Sequence, residues 1–517
     1  MARSYLKATE HRSGRLWDPI GTRETGGCVV EFRNDKNAGG RPKNFSRTML
    51  VLFLMSLPLL NPWVRGDGVG YYAFGRALLI QHNLDFAPDY QHANEGFREA
   101  RLDAAGFPRQ EFRTVTGHLD NHFSIGPAML WSPFLICAHA GVLLARAFGS
   151  KVAADGFSFP YLVAMAFGTL LYGFFALLLS YRVACRFTAE RWALFATIAI
   201  WWASSLLVYM YFNPSWSHAH SAFAVALFFW YWLRTREERT RAQWLVLALI
   251  AGIMLNVYYP NAIILVVLIP EALAQYREAW RRPEAKAATV GSLFTSHILF
   301  YVVAFALLLP TFLTRYIVYG GFFQTGYIPV TSWHWASPYF GALLFSSNHG
   351  LFSWTPLLLI ASAGLFIFWR RCAAIGTPVI LMLLVFYYFM ASYPDWDGIS
   401  SYGNRFFVSM TVFFVLGLAV MLDAVARYFS SQRIASVWLG AGLSVFMVWN
   451  VGLIFQWGAH MIPARGTMSW AQVTRNQFHA VPRQIASELE AYLFRRADAL
   501  RRIEQRDIEQ LHDGPRR

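Results

Sequence analysis

Asp67 sits in the stretch Arg65-Gly66-Asp67-Gly68-Val69-Gly70-Tyr71-Tyr72, a few residues beyond a strongly apolar run and with a glycine on each side. Glycines let a bulky partner approach the backbone, which leaves the carboxylate accessible. Such a group can act as a general base, or it can cap the helix that begins near Val69, a favoured role for Asp. Both readings stay open on spacing alone. A second stretch, Asn213-Pro214-Ser215-Trp216-Ser217-His218-Ala219-His220, puts two histidines at the entry to an apolar run. Residues at i and i+2 rarely face one point on a helix, which argues against a metal pair and leaves His218 as a lone ligand, base or phosphate donor. The third stretch runs from Tyr393-Pro394-Asp395-Trp396-Asp397-Gly398 to Tyr402-Gly403-Asn404-Arg405. The rings of Trp396 and Tyr402 suit sugar stacking and the Arg405 fork suits phosphate, while an aromatic belt with an interfacial Arg is the plainer alternative. Asp85 and His349 join the candidate substrate-binding residues.

The elements that hold these residues are apolar. Of 517 residues, 56% are hydrophobic and only 15% charged, which excludes an ordinary water-soluble globule. Twenty Trp, 44 Phe and 24 Tyr fit a protein whose rings gather at membrane interfaces. The four cysteines are scattered without a CxxC pair or metal spacing, which argues against a disulfide framework or a zinc site. A net charge of +15 could suggest nucleic acid, but the basic residues lie between apolar runs, so no nucleic-acid partner is expected.

Runs long enough to cross a bilayer occur near 48–63, 158–181, 192–210, 218–233, 242–257, 260–275, 293–313, 350–369, 374–392, 406–426 and 434–456. The run Ile125–Phe148 is ambiguous, since it holds Gly126-Pro127 and Ser132-Pro133 and contains Arg146. If it does not span, the cytosolic segments carry ten Lys/Arg in 1–47, three in 182–191, four in 234–241 and four in 276–292. The short loops 211–217 and 257–261 on the other side then carry none. The positive-inside rule therefore favours eleven spans, a cytosolic N-terminus and an external C-terminus. This predicts an all-α polytopic membrane protein with a basic cytosolic leader (1–47) and a transmembrane domain (48–456). A long first external loop (64–157) would hold interfacial helices, and an external tail (457–517) would follow. In that tail Pro482 opens an amphipathic pattern, with Ile485, Leu489, Leu493, Leu500 and Ile503 along one side. It reads as a helix on anionic lipid or as a solvated tail.

The polar candidates concentrate on the predicted external side, and the spans are almost empty of charge, which fits an enzyme better than a conduit. Their order also resembles that of the GT-C membrane glycosyltransferases, in particular the bacterial branch near protein mannosyltransferases and lipid A aminoarabinose transferases. The resemblance is carried by Gly-Asp-Gly-x-Gly-Tyr-Tyr after the first span, Ile125–Phe134, Tyr181-Arg182 and Ser217-His218-Ala219. It continues in Gly350-Leu351-Phe352-Ser353-Trp354-Thr355-Pro356, in Trp396-Asp397-Gly398 and in Tyr402-Gly403-Asn404-Arg405. Together these cover roughly 48–426.

The resemblance implies an inverting transfer of sugar from a polyprenyl-phosphate donor, at the external (periplasmic) face of a bacterial inner membrane. The acceptor would be a protein, lipid or glycan, and membrane lipids would surround the enzyme. It places the catalytic base at Asp67. The departing phosphate would gain charge, so Arg405 and His349 are expected to stabilise it, and no metal or other cofactor is expected. A glycolipid transporter or flippase is the alternative, though neither paired intramembrane charges nor inverted repeats are visible. A surface-polysaccharide polymerase or ligase would share the external site, and a non-catalytic scaffold is the plainest reading.

Overall fold

A computed structural model describes residues 45–513, apart from 94–100, 104, 238 and 282–285. The expected basic leader thus lies almost wholly outside the described residues. Among those described there is no strand, only two isolated bridges within the first loop. The first helices are α1 (Phe45–Ser56), α2 (Gly68–Arg76), α3 (Ala87–Gln91), α4 (Gly126–Ala147), α5 (Phe159–Ala184), α6 (Glu190–Trp202) and α7 (His218–Thr235). There follow α8 (Arg241–Val257), α9 (Leu268–Arg281), α10 (Lys286–Ala306), α11 (Leu309–Tyr319), α12 (Phe340–Phe345), α13 (Leu351–Trp354) and α14 (Leu357–Arg371). The last are α15 (Ala373–Ser392), α16 (Thr411–Ala426), α17 (Gln432–Gly458), α18 (Trp470–Arg475), α19 (Val481–Phe494) and α20 (Arg496–Asp513).

The protein is a helical membrane protein. Six helical stretches among the described residues are long and apolar enough to cross a bilayer: Gly126–Ala147, Phe159–Ala184, Thr289–Tyr319, Ala373–Ser392, Arg405–Ala426 and Gln432–Gly458. Five of these coincide with expected spans, and the sixth is the ambiguous run. The other expected runs are shorter or interrupted. The one near 350–369 breaks between α13 and α14 at Thr355-Pro356, where Thr355 takes up the non-helical geometry that a following proline favours. The one near 260–275 becomes a 3-10 segment, Tyr259–Val267, followed by α9.

α16 is apolar on all sides and is accordingly the central helix, packed by α14, α5 and α6. Outer helices show the reverse. Phe294 and Phe305 on α10 are 59% and 57% exposed, and Val445 and Val448 on α17 are 68% and 69% exposed. Such apolar surface suits lipid rather than water.

The connections gather at two poles. At one, Arg186 donates to the Leu233 carbonyl (3.1 Å), Arg191 to that of Gln432 (3.2 Å) and Arg236 to that of Ala374 (3.2 Å). A buried Arg239–Glu271 pair (3.1 Å) closes the same end. The other pole holds Asp67, 213–218, 257–261, 323–333, 395–405 and 457–466, all of which contribute to one cavity.

α4 does not run from one pole to the other, although its length would allow it. It starts at the cavity pole, where Ser124 just before it donates to the Val257 carbonyl (2.7 Å). It then lies antiparallel to the first half of α5, with Trp131 Nε1 donating to Thr169 Oγ1 (2.8 Å) and His139 Nδ1 bonded to Tyr161 Oη (2.6 Å). Thr169 is itself tied to the Pro214 carbonyl at the cavity pole (2.7 Å). As α4 ascends in number it therefore moves away from the pole that Ala184 reaches. The turn between α4 and α5 returns to the first loop. There Tyr72 Oη donates to the Gly156 carbonyl (2.6 Å), and Phe157 stacks on His92 at 3.8 Å.

Candidate active site

Asp67 precedes α2 with helical backbone angles, and its side chain caps nothing. Its carboxylate instead meets Arg405, with Nη1 2.5 Å from Oδ2. Capping, one of the two readings left open by spacing, is thus not what the side chain does. The pair is only partly shielded, at 26% exposure for the Asp67 side chain and 12% for that of Arg405. Both residues line a cavity of about 2830 Å³.

The glycines around Asp67 have a different reason from the one expected. Gly66 adopts φ +55° with its α-carbon against the Trp216 ring, and a Cβ on Gly68 would strike the Ser215 side chain. They admit the protein's own 213–217 segment, which is how two distant stretches of sequence come to share one wall. Trp216 Nε1 then donates to the Arg65 carbonyl (3.0 Å), and the Arg405 guanidinium stacks 4.6 Å from the Trp216 ring centroid. This cation–π contact helps to fix the guanidinium beside Asp67. Arg405 makes a single hydrogen bond among the described residues, through Nη1; its Nε is buried without a partner, and the part of the fork open to a ligand is the 12% of the side chain that stays exposed.

Tyr71 adds a neutral donor. Its hydroxyl accepts from Ser217 Oγ (3.0 Å). Burial, with the Asp67 charge next, pushes the phenol well above its ordinary range, so its proton stays on and can be offered to a ligand. His218 opens α7, lines the cavity and leaves Nδ1 without a partner among the described residues.

The remaining candidates fall elsewhere. Asp85 is exposed, accepts from the Ala87 amide (3.1 Å) and does not border the cavity, so its role is a local turn rather than substrate binding. Asp120, on the same loop, is held by His122 (3.5 Å), Arg101 (3.8 Å) and a short bond from Tyr319. His349 is fully buried behind the cavity wall. Its Nδ1 is 2.9 Å from the Asp397 carbonyl, and burial pushes its pKa down to about 4. It is therefore neutral near pH 7 and cannot supply the charge expected of it on a phosphate. With Asn348 Nδ2, which donates to Asp397 Oδ2 (2.7 Å), it fixes the Asp397 turn.

Tyr402 is sealed in the core, its hydroxyl donating to Asn450 Oδ1 (2.8 Å). Trp396 is half-buried, with its ring 5.8 Å from that of Tyr339. Neither ring lines the cavity, so packing replaces the sugar stacking expected of them.

Sequence reasoning missed Arg65, Tyr71 and Trp216 as cavity residues, although the first two lie within four positions of Asp67. It also placed the tail on lipid or in water. Instead Ile485, Leu489, Arg502, Ile503 and Arg506 all line the cavity. The tail is tied down by Tyr492 Oη to the Leu59 carbonyl (2.8 Å) and by Arg496 Nη1 to that of Leu60 (2.6 Å). The amphipathic pattern was legible, but what its apolar side faces was not.

The chain matches no protein-family model and has no significant match among curated proteins.

Proposed function

We propose that this protein is an inverting glycosyltransferase that takes a sugar from a polyprenyl-phosphate-linked donor, on the GT-C-like, eleven-span plan that the sequence suggests. The supporting observation is the Asp67–Arg405 pair, a carboxylate and a guanidinium that are both partly exposed and line one large cavity. In this reading Asp67 takes the proton of an acceptor hydroxyl while its oxygen attacks the anomeric carbon from the face opposite the phosphate. The new C–O bond forms as the sugar–phosphate bond breaks, and the electron pair leaves with the polyprenyl phosphate. Arg405 meets the charge that develops on this leaving group, and the Tyr71 hydroxyl donates alongside.

Arg405 is engaged by Asp67. An arriving phosphate competes for the guanidinium, which loosens its hold on the carboxylate that must accept a proton. Acceptor attack is thereby coupled to donor binding. The cavity face is the external, periplasmic side in this reading, and the acceptor is a protein, lipid or glycan that reaches it from there.

Binding of a long-chain polyprenyl monophosphate to the purified full-length protein tests the reading. Arg405→Ala should weaken binding by tenfold or more, about the loss expected of a charge-assisted contact. Equal affinity in both proteins would leave Arg405 as a packing residue and remove the basis for a phosphate donor.

A further inference from the structure

The cavity is not polar throughout. Beside the Asp67–Arg405 pair it continues between the end of α1, the 208–212 turn, α17 and α19, where Leu59, Phe212, Val451, Ile454, Ile485 and Leu489 line it. Leu489, which lines this part of the cavity, is 44% exposed. An apolar side chain left open in a cavity wall has area to bury against a ligand.

Where the apolar part meets the Asp67 end stands Arg65. Its guanidinium lies 4.7 Å from the Trp63 ring centroid and 5.9 Å from that of Trp457. From this largely apolar part, where Glu488 of α19 is paired with Arg502 of α20 (3.4 Å), the lining passes Arg65 and then Arg405 to reach the Asp67 carboxylate.

We infer that the C-terminal helix α19 is one wall of a binding sleeve for the prenyl chain of the donor. This inference rests on the donor reading above. A prenyl-phosphate sugar has the matching order of chain, phosphate and sugar, so its three parts fall opposite apolar residues, arginines and Asp67 respectively. An acceptor lipid has no need of cations between its chain and the carboxylate. Tyr492 on α19 and Arg496 at the start of α20, bonded to the Leu59 and Leu60 carbonyls, hold the tail against the segment that follows α1. The tail is then part of the substrate site, and Ile485 and Leu489 set the preference for chain length.

The test compares a two-unit and a long-chain polyprenyl monophosphate, titrated into the full-length protein. The wild type should prefer the long chain by about tenfold or more, since each additional buried methylene contributes about 0.8 kcal/mol. Ile485→Trp with Leu489→Trp should fill the sleeve. It should leave short-chain binding unchanged and abolish the preference. Retention of the preference in that filled variant would overturn the inference. If the double variant melts early, Leu489→Ser serves instead; it should cut the preference several-fold, and an unchanged preference would again overturn the proposal. Equal competition by a diacyl phosphate would also overturn it, since the sleeve would then accept acyl lipid. If the wild type binds neither chain length, the donor reading itself fails. If binding depends on Arg405 but not on chain length, only the sleeve fails.

Discussion

Two carboxylates of the first loop, Asp89 and Asp67, each pair with a guanidinium, and the pairs are built to opposite ends. Asp89 and Arg76 form a two-pronged contact, with Nε to Oδ1 at 2.7 Å and Nη2 to Oδ2 at 2.6 Å. Their side chains are 2% and 4% exposed, and burial pushes the Asp89 carboxyl up to about 6. Asp67 and Arg405 make one contact across 338 residues of sequence, and both side chains reach the cavity. The first pair joins α2 to α3 and has no capacity left for a ligand. The second joins two loops, makes a single hydrogen bond among the described residues and leaves both side chains partly exposed at the cavity. Pairing alone therefore says nothing about function; what separates the two is whether the charges are used up.

That contrast predicts opposite phenotypes. Asp67→Asn nearly preserves volume but cannot take a proton near neutral pH. Transfer should fall by about 10²–10⁴-fold, the usual cost of losing a general base, with the melting temperature in detergent unchanged. Polyprenyl phosphate should bind Asp67→Asn at least as tightly as wild type, because Arg405 loses its competing anion. Asp89→Ala should do the reverse. It strands Arg76 in a buried site and should destabilise the fold by about 3–5 kcal/mol, while activity per folded molecule stays within a few-fold of wild type. If Asp67→Asn melted early and Asp89→Ala lost turnover alone, the roles assigned to the two pairs would have to be exchanged.

A smaller effect comes from His349, the candidate that proved structural. Its ring is neutral in the folded protein, with a pKa near 4, against 6.5 when unfolded. As pH falls the unfolded chain takes up this proton first. Its contribution to stability, about 3 kcal/mol at most, is therefore whole above pH 6.5 and is lost as pH drops toward 4. His349→Gln should flatten the acid side of the melting profile in that window. A profile unchanged by the substitution would mean that some other group dominates.

The comparison also bears on what could be read in advance. Asp67 and Arg405 were both legible as chemistry, because glycine-flanked carboxylates and an Arg among aromatic rings are local patterns. Their contact was not legible, since nothing in either stretch encodes a partner so far along the chain. The aromatic rings illustrate the same limit. Trp396 and Tyr402 looked like sugar platforms, while Trp216, which does stack on Arg405, was noticed only as part of a histidine-bearing segment. Helical content was plain from composition, but interruptions such as Thr355-Pro356 divide some apolar runs into pieces shorter than a bilayer. The turn between α4 and α5 was placed on the Asp67 side by charge counting, and the Tyr72–Gly156 bond sets it beside the first loop.

Sidedness yields the last and least graded prediction. Cysteines introduced at Ser150 and Asp155 should react with an impermeant thiol reagent in intact cells, and those at Thr188 and Thr240 should not, once the native cysteines are replaced. Labelling at 188 without labelling at 155 would reverse the orientation and place the Asp67 cavity in the cytosol.

Mass analysis of cell-envelope lipids, proteins and glycans tests the central claim most directly, across cells with the gene, without it and carrying Asp67→Asn. The account predicts that a hexose or pentose increment on one envelope component is present in the first and missing from both others, with the Asp67→Asn protein present at normal abundance. An envelope identical in all three, or an increment that persists at wild-type level in Asp67→Asn cells, would contradict it.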